Sequence, residues 1–289
     1  AWRALVFRPI LNKIGFDQLE LVASGGAPLP AETMAVWHML GVNVVEMYGQ
    51  TETAGGIIAG QRGPFARPGD VGTIPEGIEV KLAEDGEILV RSPDLFDGYW
   101  GNREASQAVL GDGGWMHTGD VGEWRGGNLR LIDRARDFLV TSGGKTISPS
   151  FIENILRASP YIAEAIVLGH GRKYLTALIE IDFDTAAEWA RSNDVAYTGF
   201  TSLAQNARVT TLIGGEVDRA NGQFARVEQI KAFRILPKVL DPEEEGEPVT
   251  PTRKVKRDQM YDRFKTLVDE MYDDEEEKRL ADTAGALTA

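Results

Sequence analysis

Val42-Asn43-Val44-Val45-Glu46-Met47-Tyr48-Gly49-Gln50-Thr51-Glu52-Thr53 is the stretch on which the fold turns. Its first half is a β-branched run suited to a buried strand. Its second half is polar and carries a ring, a glycine, hydroxyls and a carboxylate just past the strand's C-terminal end. Open α/β sheets bind their ligands at that edge. A tyrosine ring can stack on a nucleobase, a threonine hydroxyl can bond a phosphate oxygen, and a glutamate can hold magnesium. The same residues also suit an ordinary polar turn out of a strand.

Upstream, residues 19–23 read as a short strand and Ser24-Gly25-Gly26-Ala27-Pro28 as a turn. Residues 30–40 carry Met34, Trp37, Met39 and Leu40 at helical spacing, so the order is alternating α/β. From Gly69 to Asp133 the pattern changes to short strands and glycine turns. Asp85-Gly86 separates residues 80–82 from 87–90, and Gly126-Gly127-Asn128 separates 121–125 from 129–132. Both are hairpin signals, and together they predict a small distorted β-barrel or curled sheet.

After Arg134 the chain reads as α+β. Helices are expected at 151–158, 185–192 and 203–221, and strands at 165–168, 175–181 and 231–236. A last helix is marked by Met260, Tyr261, Phe264, Leu267, Val268 and Met271 at three- and four-residue intervals. The boundary between the two halves falls at Asp133-Arg134-Ala135-Arg136-Asp137, a charged connection between apolar strands.

At 289 residues, two domains are expected. Hydrophobic content of 43% with 26% charged residues is that of an ordinary globular protein. A net charge of -13 argues against nucleic acid as a partner, because such binding runs on Lys and Arg contacts to phosphate. Much of the acidity sits in Glu243-Glu244-Glu245 and Asp273-Asp274-Glu275-Glu276-Glu277, which read as a solvated loop and tail. The absence of cysteine excludes disulfides and thiolate zinc sites and fits a reducing cytoplasm. No apolar run approaches the ~20 residues of a transmembrane helix. A peripheral membrane contact is conceivable, though no basic amphipathic helix supports it. His38, His117 and His170 lack metal-ligand spacing. No Gly-x-Ser-x-Gly elbow is present to support a triad hydrolase.

Three further clusters could carry chemistry. Trp115-Met116-His117-Thr118-Gly119-Asp120 sets a carboxylate after a glycine turn, where it could accept from both hydroxyls of a ribose; in isolation a plain turn is the favoured reading. Gly143-Gly144-Lys145-Thr146 ends like a nucleotide P-loop, but Leu139 stands where that motif needs glycine, so a flexible glycine loop is the better reading. Pro251-Thr252-Arg253-Lys254-Val255-Lys256-Arg257 is either a basic helix start or a loop that delivers a lysine to a phosphate or carboxylate.

The order of these signals is more telling than any one of them. Tyr48 to Thr53, then Gly86-Glu87-Ile88-Leu89-Val90-Arg91-Ser92-Pro93 with Gly98-Tyr99-Trp100, then Thr118-Gly119-Asp120, then Asp133-Arg134-Ala135-Arg136-Asp137, then the late lysine, resembles the adenylate-forming superfamily. The resemblance covers about residues 19–272 and is greatest to the long-chain fatty acyl-CoA ligase branch, through Thr250 to Arg257 and Leu267-Val268-Asp269-Glu270-Met271-Tyr272.

That resemblance implies roles. Gly25, Gly26 and Ala27 would line the adenine pocket, with Tyr48 packing on the base and Gly49 and Gln50 in the same nucleotide-binding stretch. Thr51 would contact the α-phosphate, and Glu52 would bind Mg2+. Asp120 and Arg134 would hold the ribose, and Arg136 would be the hinge. Lys254 would bridge the fatty carboxylate and the α-phosphate. Gly143 and Gly144 would help form the CoA pantetheine tunnel after a domain rotation. The implied activity is a long-chain fatty acid–CoA ligase using ATP, Mg2+ and CoA. Another acyl- or aryl-adenylating enzyme, or a non-catalytic nucleotide- or CoA-binding remnant, stands as the alternative.

The family's phosphate loop is absent from the sequence, and only 47 residues precede Tyr48. The resemblance therefore implies an N-terminally truncated fold, inactive without its missing N-terminal half. Residues 1–133 would be the remnant of the large domain, with an α/β piece at 1–65 and a barrel-like piece at 66–133. Residues 134–137 would be the hinge, 138–272 the mobile C-terminal domain, and 273–289 an acidic flexible tail.

Overall fold

Strand β1 (Val22–Gly25) runs parallel to β2 (Val44–Gly49), and the helix between them supplies the crossover that a parallel pair requires. The protein is described here from a computed structural model covering residues 3–250 and 253–279. It divides into two compact units, Ala1–Arg136 and Asp137–Ala289.

In the first unit, α1 (Arg8–Lys13) precedes β1, and α2 (Ala31–Leu40) is the crossover helix, ended by Gly41 in the left-handed conformation at φ 90°. Leu11, Met34, Val42 and Val44 form the core beneath it. Strand β3 (Ile57–Gly60) adds antiparallel to β2, so the sheet is mixed. The hairpins at the two glycine turns form as expected. Strands β4 (Glu79–Leu82), β5 (Glu87–Arg91), β6 (Met116–Arg125) and β7 (Asn128–Arg134) make one four-stranded antiparallel sheet in chain order, with α3 (Arg103–Val109) between β5 and β6. Bridges Gly60↔Thr73 and Gly72↔Leu129 connect the edges of the two sheets, and the result is a half-barrel rather than a closed one. Tyr48, Ile58, Ile88, Val90, Met116 and Leu129 fill its core.

The second unit begins with a short ribbon, β8 (Leu139–Val140) and β9 (Thr146–Ile147), followed by α4 (Pro149–Leu156). Its main sheet has β11 (Leu175–Ile181) in the centre, antiparallel to β10 (Ile162–Leu168) and parallel to β12 (Ile230–Ile235). Every residue of β11 is buried, as a strand covered on both faces must be. One face packs on α4, α5 (Phe183–Ser192), α6 (Phe200–Ala204) and α7 (Ala207–Asn221). The other packs on α8 (Arg257–Arg263) and α9 (Lys265–Glu270) through Met260, Phe264, Val268 and Met271.

Several sequence expectations are corrected. The first strand starts at Val22, because Leu19 and Leu21 stay exposed. The helix expected at 203–221 is two, divided at Asn206, whose side chain caps α7 by accepting from the Arg208 amide at 2.9 Å. The last helix is broken at Phe264, whose backbone leaves the helical region. Nor are residues 274–279 a loose tail. They form a helical turn on which Asp273 accepts the Glu276 amide, with Glu276 only 8% exposed and paired to Arg279. The rest of that expected tail, residues 280–289, lies outside the described residues, as do Pro251 and Thr252 of the basic stretch. Among the described residues no helix is long and apolar enough to cross a membrane.

Candidate active site

The polar stretch after β2 folds as a turn and also gathers distant groups. Thr51, Glu52 and Thr53 make one 3-10 turn, closed by reciprocal bonds: Gln50 N donates to Thr53 Oγ1 at 3.3 Å, and Thr53 N donates to the Gln50 carbonyl at 3.2 Å. Gly49 must be glycine here, since a Cβ would lie 2.4 Å from the Gly56 carbonyl oxygen.

The centre of the site is Asp120. It lies in β6 opposite Arg134 of β7 and is 9% exposed. Its Oδ2 accepts from the Tyr48 hydroxyl and from Gln50 Nε2, both at 2.6 Å. Its Oδ1 faces Arg134 Nε at 3.5 Å. Gln50 Nε2 also reaches the Thr118 carbonyl at 3.0 Å. One carboxylate is thus fixed by two donors on one oxygen, leaving the other beside a cation. Such an oxygen can take hydroxyl donors in charge-assisted bonds. Burial and the nearby Asp120 charge push the Tyr48 phenol far up, so it stays a protonated donor. The Tyr48 ring is 6% exposed and belongs to the half-barrel core.

Glu52 is held from another direction. Its Oε1 accepts from the Tyr99 hydroxyl at 2.6 Å, and its carbonyl accepts the Phe96 amide at 2.9 Å. The bond to Glu52, more than burial, pushes the Tyr99 phenol up to about 12. The second Glu52 oxygen makes no hydrogen bond among the described residues. A lone carboxylate fits Mg2+, which keeps waters and substrate phosphate oxygens as its other ligands. Among the described residues no group of three or more His, Asp and Glu side chains could cage a metal. Thr51 is exposed at the start of the turn.

Gly25 ends β1 opposite Met47, and a Cβ on it would come within 3.0 Å of the Met47 carbonyl oxygen. Gly26 follows at φ 85°, a left-handed conformation natural to glycine, and Ala27 continues the loop. That loop is braced by a residue the sequence reading passed over. Glu46 is 5% exposed; its Oε1 accepts the Leu29 amide at 2.9 Å, and its own amide donates to Gln61 Oε1 at 2.8 Å. Burial is the main cause that pushes its carboxyl up to about 6, opposed by the Leu29 amide and aided by Asp70. Glu87 braces the Asp120 turn in the same manner, accepting from His117 Nδ1 at 2.8 Å and the Gly119 amide at 2.9 Å. A single acid inside an apolar strand is the signal that would have found Glu46, because such side chains are rarely buried without partners; Glu87, the first residue of β5 and only partly buried, carries no such signal.

The remaining candidates belong to the second unit, except Arg136, which is the first unit's last residue and lies in the turn Ala135–Asp137. Gly143 and Gly144 sit at the tip between β8 and β9, where the Gly144 amide donates to the Thr141 carbonyl at 2.9 Å. Lys254 is exposed; its amide donates to Thr250 Oγ1 at 2.9 Å, and its carbonyl accepts the Thr250 amide at 2.8 Å. The first unit therefore brings together Tyr48, Gln50, Asp120 and Arg134, with Glu52 and Thr51 on the adjoining turn, while Lys254, Gly143 and Gly144 are framed in the other unit.

Comparison with known proteins gives this arrangement a context. Residues 6–100 match the AMP-binding enzyme model, and residues 136–276 match the AMP-binding enzyme C-terminal domain. The long-chain-fatty-acid–CoA ligase FadD15 of Mycobacterium bovis is 35% identical over 273 residues, covering 94% of this chain and 45% of the relative. The long chain acyl-CoA synthetase 7 of Arabidopsis thaliana, described as peroxisomal, is 32% identical over 294 residues, covering 94% of this chain and 41% of its own. Among solved structures, the anthranilate CoA ligase AuaEII in complex with anthranoyl-AMP aligns with a TM-score of 0.65 at 24% identity, over 86% of this chain and 44% of that one. The chain spans about half the length of the curated relatives it matches.

Proposed function

The chain belongs to the AMP-binding enzyme family, and from that premise we propose that it is the C-terminal portion of a long-chain fatty acyl-CoA ligase. The observation that supports this reading best is Asp120, a nearly buried carboxylate held by Tyr48 and Gln50 on one oxygen, with Arg134 beside the other.

In this reading the ribose hydroxyls of ATP donate to Asp120, with Arg134 fixing the acceptor. The Gly25-Gly26-Ala27 loop, braced by Glu46, borders the adenine. Thr51 donates to the α-phosphate. Glu52, oriented by Tyr99, provides a carboxylate for Mg2+, which when bound spreads the charge of the phosphates. A fatty carboxylate oxygen then bonds to the α-phosphorus while pyrophosphate leaves. Lys254 offsets the negative charge that gathers on both partners. No protein nucleophile is needed; positioning and charge neutralisation carry the step. In the second half-reaction the CoA thiolate attacks the acyl carbon and AMP leaves, with Gly143 and Gly144 bordering the incoming pantetheine. Rotation about Arg136 would exchange Lys254 for that glycine loop.

The experiment is acid-dependent exchange of labelled pyrophosphate into ATP, run on this chain joined to its upstream half. The acids would be benzoates and fatty acids from short to very long. Exchange that peaks with long-chain acids supports the proposal. A peak with benzoates assigns the family's chemistry to a different acid, and no exchange with any acid from a folded protein contradicts it.

A further inference from the structure

The segment carrying Lys254 is tied to its own unit on both sides of the lysine. On the C-terminal side, Arg257 Nη1 donates to Glu153 Oε1 at 2.5 Å and to the Val167 carbonyl at 2.6 Å. The same Glu153 oxygen accepts the Val167 amide at 2.8 Å. Glu153 of α4 and Arg257 keep only 10% and 17% of their side-chain surfaces exposed. On the N-terminal side, Arg253 Nη2 lies 3.4 Å from Glu180 Oε1. Glu180 is in β11, 3% exposed, and its other oxygen accepts the Leu240 amide at 3.0 Å. Backbone pairing holds the segment between the anchors as well: Val255 bridges Val249, and the Lys256 amide donates to the Pro248 carbonyl at 2.8 Å.

Two buried glutamates inside an α+β core have no structural need to be acids. Each already accepts a backbone amide, which a glutamine would do as well. What the charge adds is a specific partner on the lysine segment. Lysine is a point charge on a long flexible stem, so its placement depends on how firmly its backbone is held. We infer that Glu153 is a positioning residue for Lys254, acting through Arg257, and that Glu180 acts likewise through Arg253. The inference rests on the reading of Lys254 as the lysine that meets the reacting carboxylate and phosphate. Of the two anchors Glu153 is the stronger, because its pair is shorter and more fully removed from water.

The test starts with limited trypsin digestion of this chain, following cuts after Arg253, Lys254 and Lys256 by mass against cuts after Arg191 and Arg219. Glu153→Gln is expected to speed the cuts in the lysine segment about tenfold while the reference cuts keep their rate, because local opening and global unfolding are separate events. Glu180→Gln is expected to speed them about threefold by the same route. If cleavage in the lysine segment is unchanged, or rises only in step with the reference cuts, the inference fails. Should Glu153→Gln lack a cooperative melt, Glu180→Gln decides by the same criterion. In the chain joined to its upstream half, Glu153→Gln should lower the pyrophosphate-exchange kcat about tenfold with the KM for ATP unchanged. A joined protein without any exchange would remove the functional reading and leave the trypsin result standing or falling by itself.

Discussion

The hydroxyl of Tyr48 donates to Oδ2 of Asp120 at 2.6 Å, joining strands of two different sheets across 72 positions of sequence. Asp120 accepts a second bond at the same oxygen from Gln50, so the two side chains of the β2 end converge on one buried carboxylate. Tyr48→Phe removes one of the two donors and leaves the ring in place. It should destabilise the first unit by about 1.5–3 kcal/mol, the worth of a hydrogen bond to a charged group. Urea melts followed by tryptophan fluorescence check this, and an unchanged midpoint would show that the bond carries no stability.

Glu46 predicts a pH dependence. Burial raises its carboxyl from 4.5 to about 6 in the folded protein, so the folded state binds this proton more tightly than the unfolded one. Its contribution to stability is therefore complete below about pH 4.5 and is lost as pH rises through 6. Glu46→Gln keeps an acceptor for the Leu29 amide without the charge. It should raise stability at pH 7 by about 2 kcal/mol and flatten the profile between those values. A profile of unchanged slope in that window would contradict the assignment.

Glycines at the site differ in why they are needed. At Gly49 a methyl would meet the backbone of Gly56, which cannot swing aside, so Gly49→Ala should cost about 3 kcal/mol. Gly26 has open space around it but a φ of 85°, and Gly26→Ala should cost about 1 kcal/mol from backbone strain alone. Thermal melts of the two variants give the order, and a larger loss at Gly26 would reverse the argument.

The hairpins at Asp85-Gly86 and Gly126-Gly127 were legible because turn chemistry is local, and β11 because burial on both faces leaves a run that is apolar except at Thr176 and Glu180. The division at Asn206 was missed because a cap can interrupt an amphipathic pattern without disturbing its period. The edge Leu19 and Leu21 look like strand residues by type, yet only pairing with β2 decides where β1 begins. At the site, the order of motifs pointed to Tyr48, Glu52, Asp120, Arg134 and Lys254. It could not reveal Glu46, Glu87, Tyr99 or Glu153, because their importance lies in which distant group each one touches.

The most direct test of the account is the mass of product formed by this chain joined to its upstream half and given ATP, Mg2+, CoA and a ladder of fatty acids, with Lys254→Ala beside it. The account predicts long-chain acyl-CoA from the unaltered protein and a rate lower by about 10²–10³ with Lys254→Ala, the usual loss when one charge-stabilising group is removed. Neither acyl-AMP nor acyl-CoA from a folded joined protein, or the same rate with and without the lysine, would contradict it.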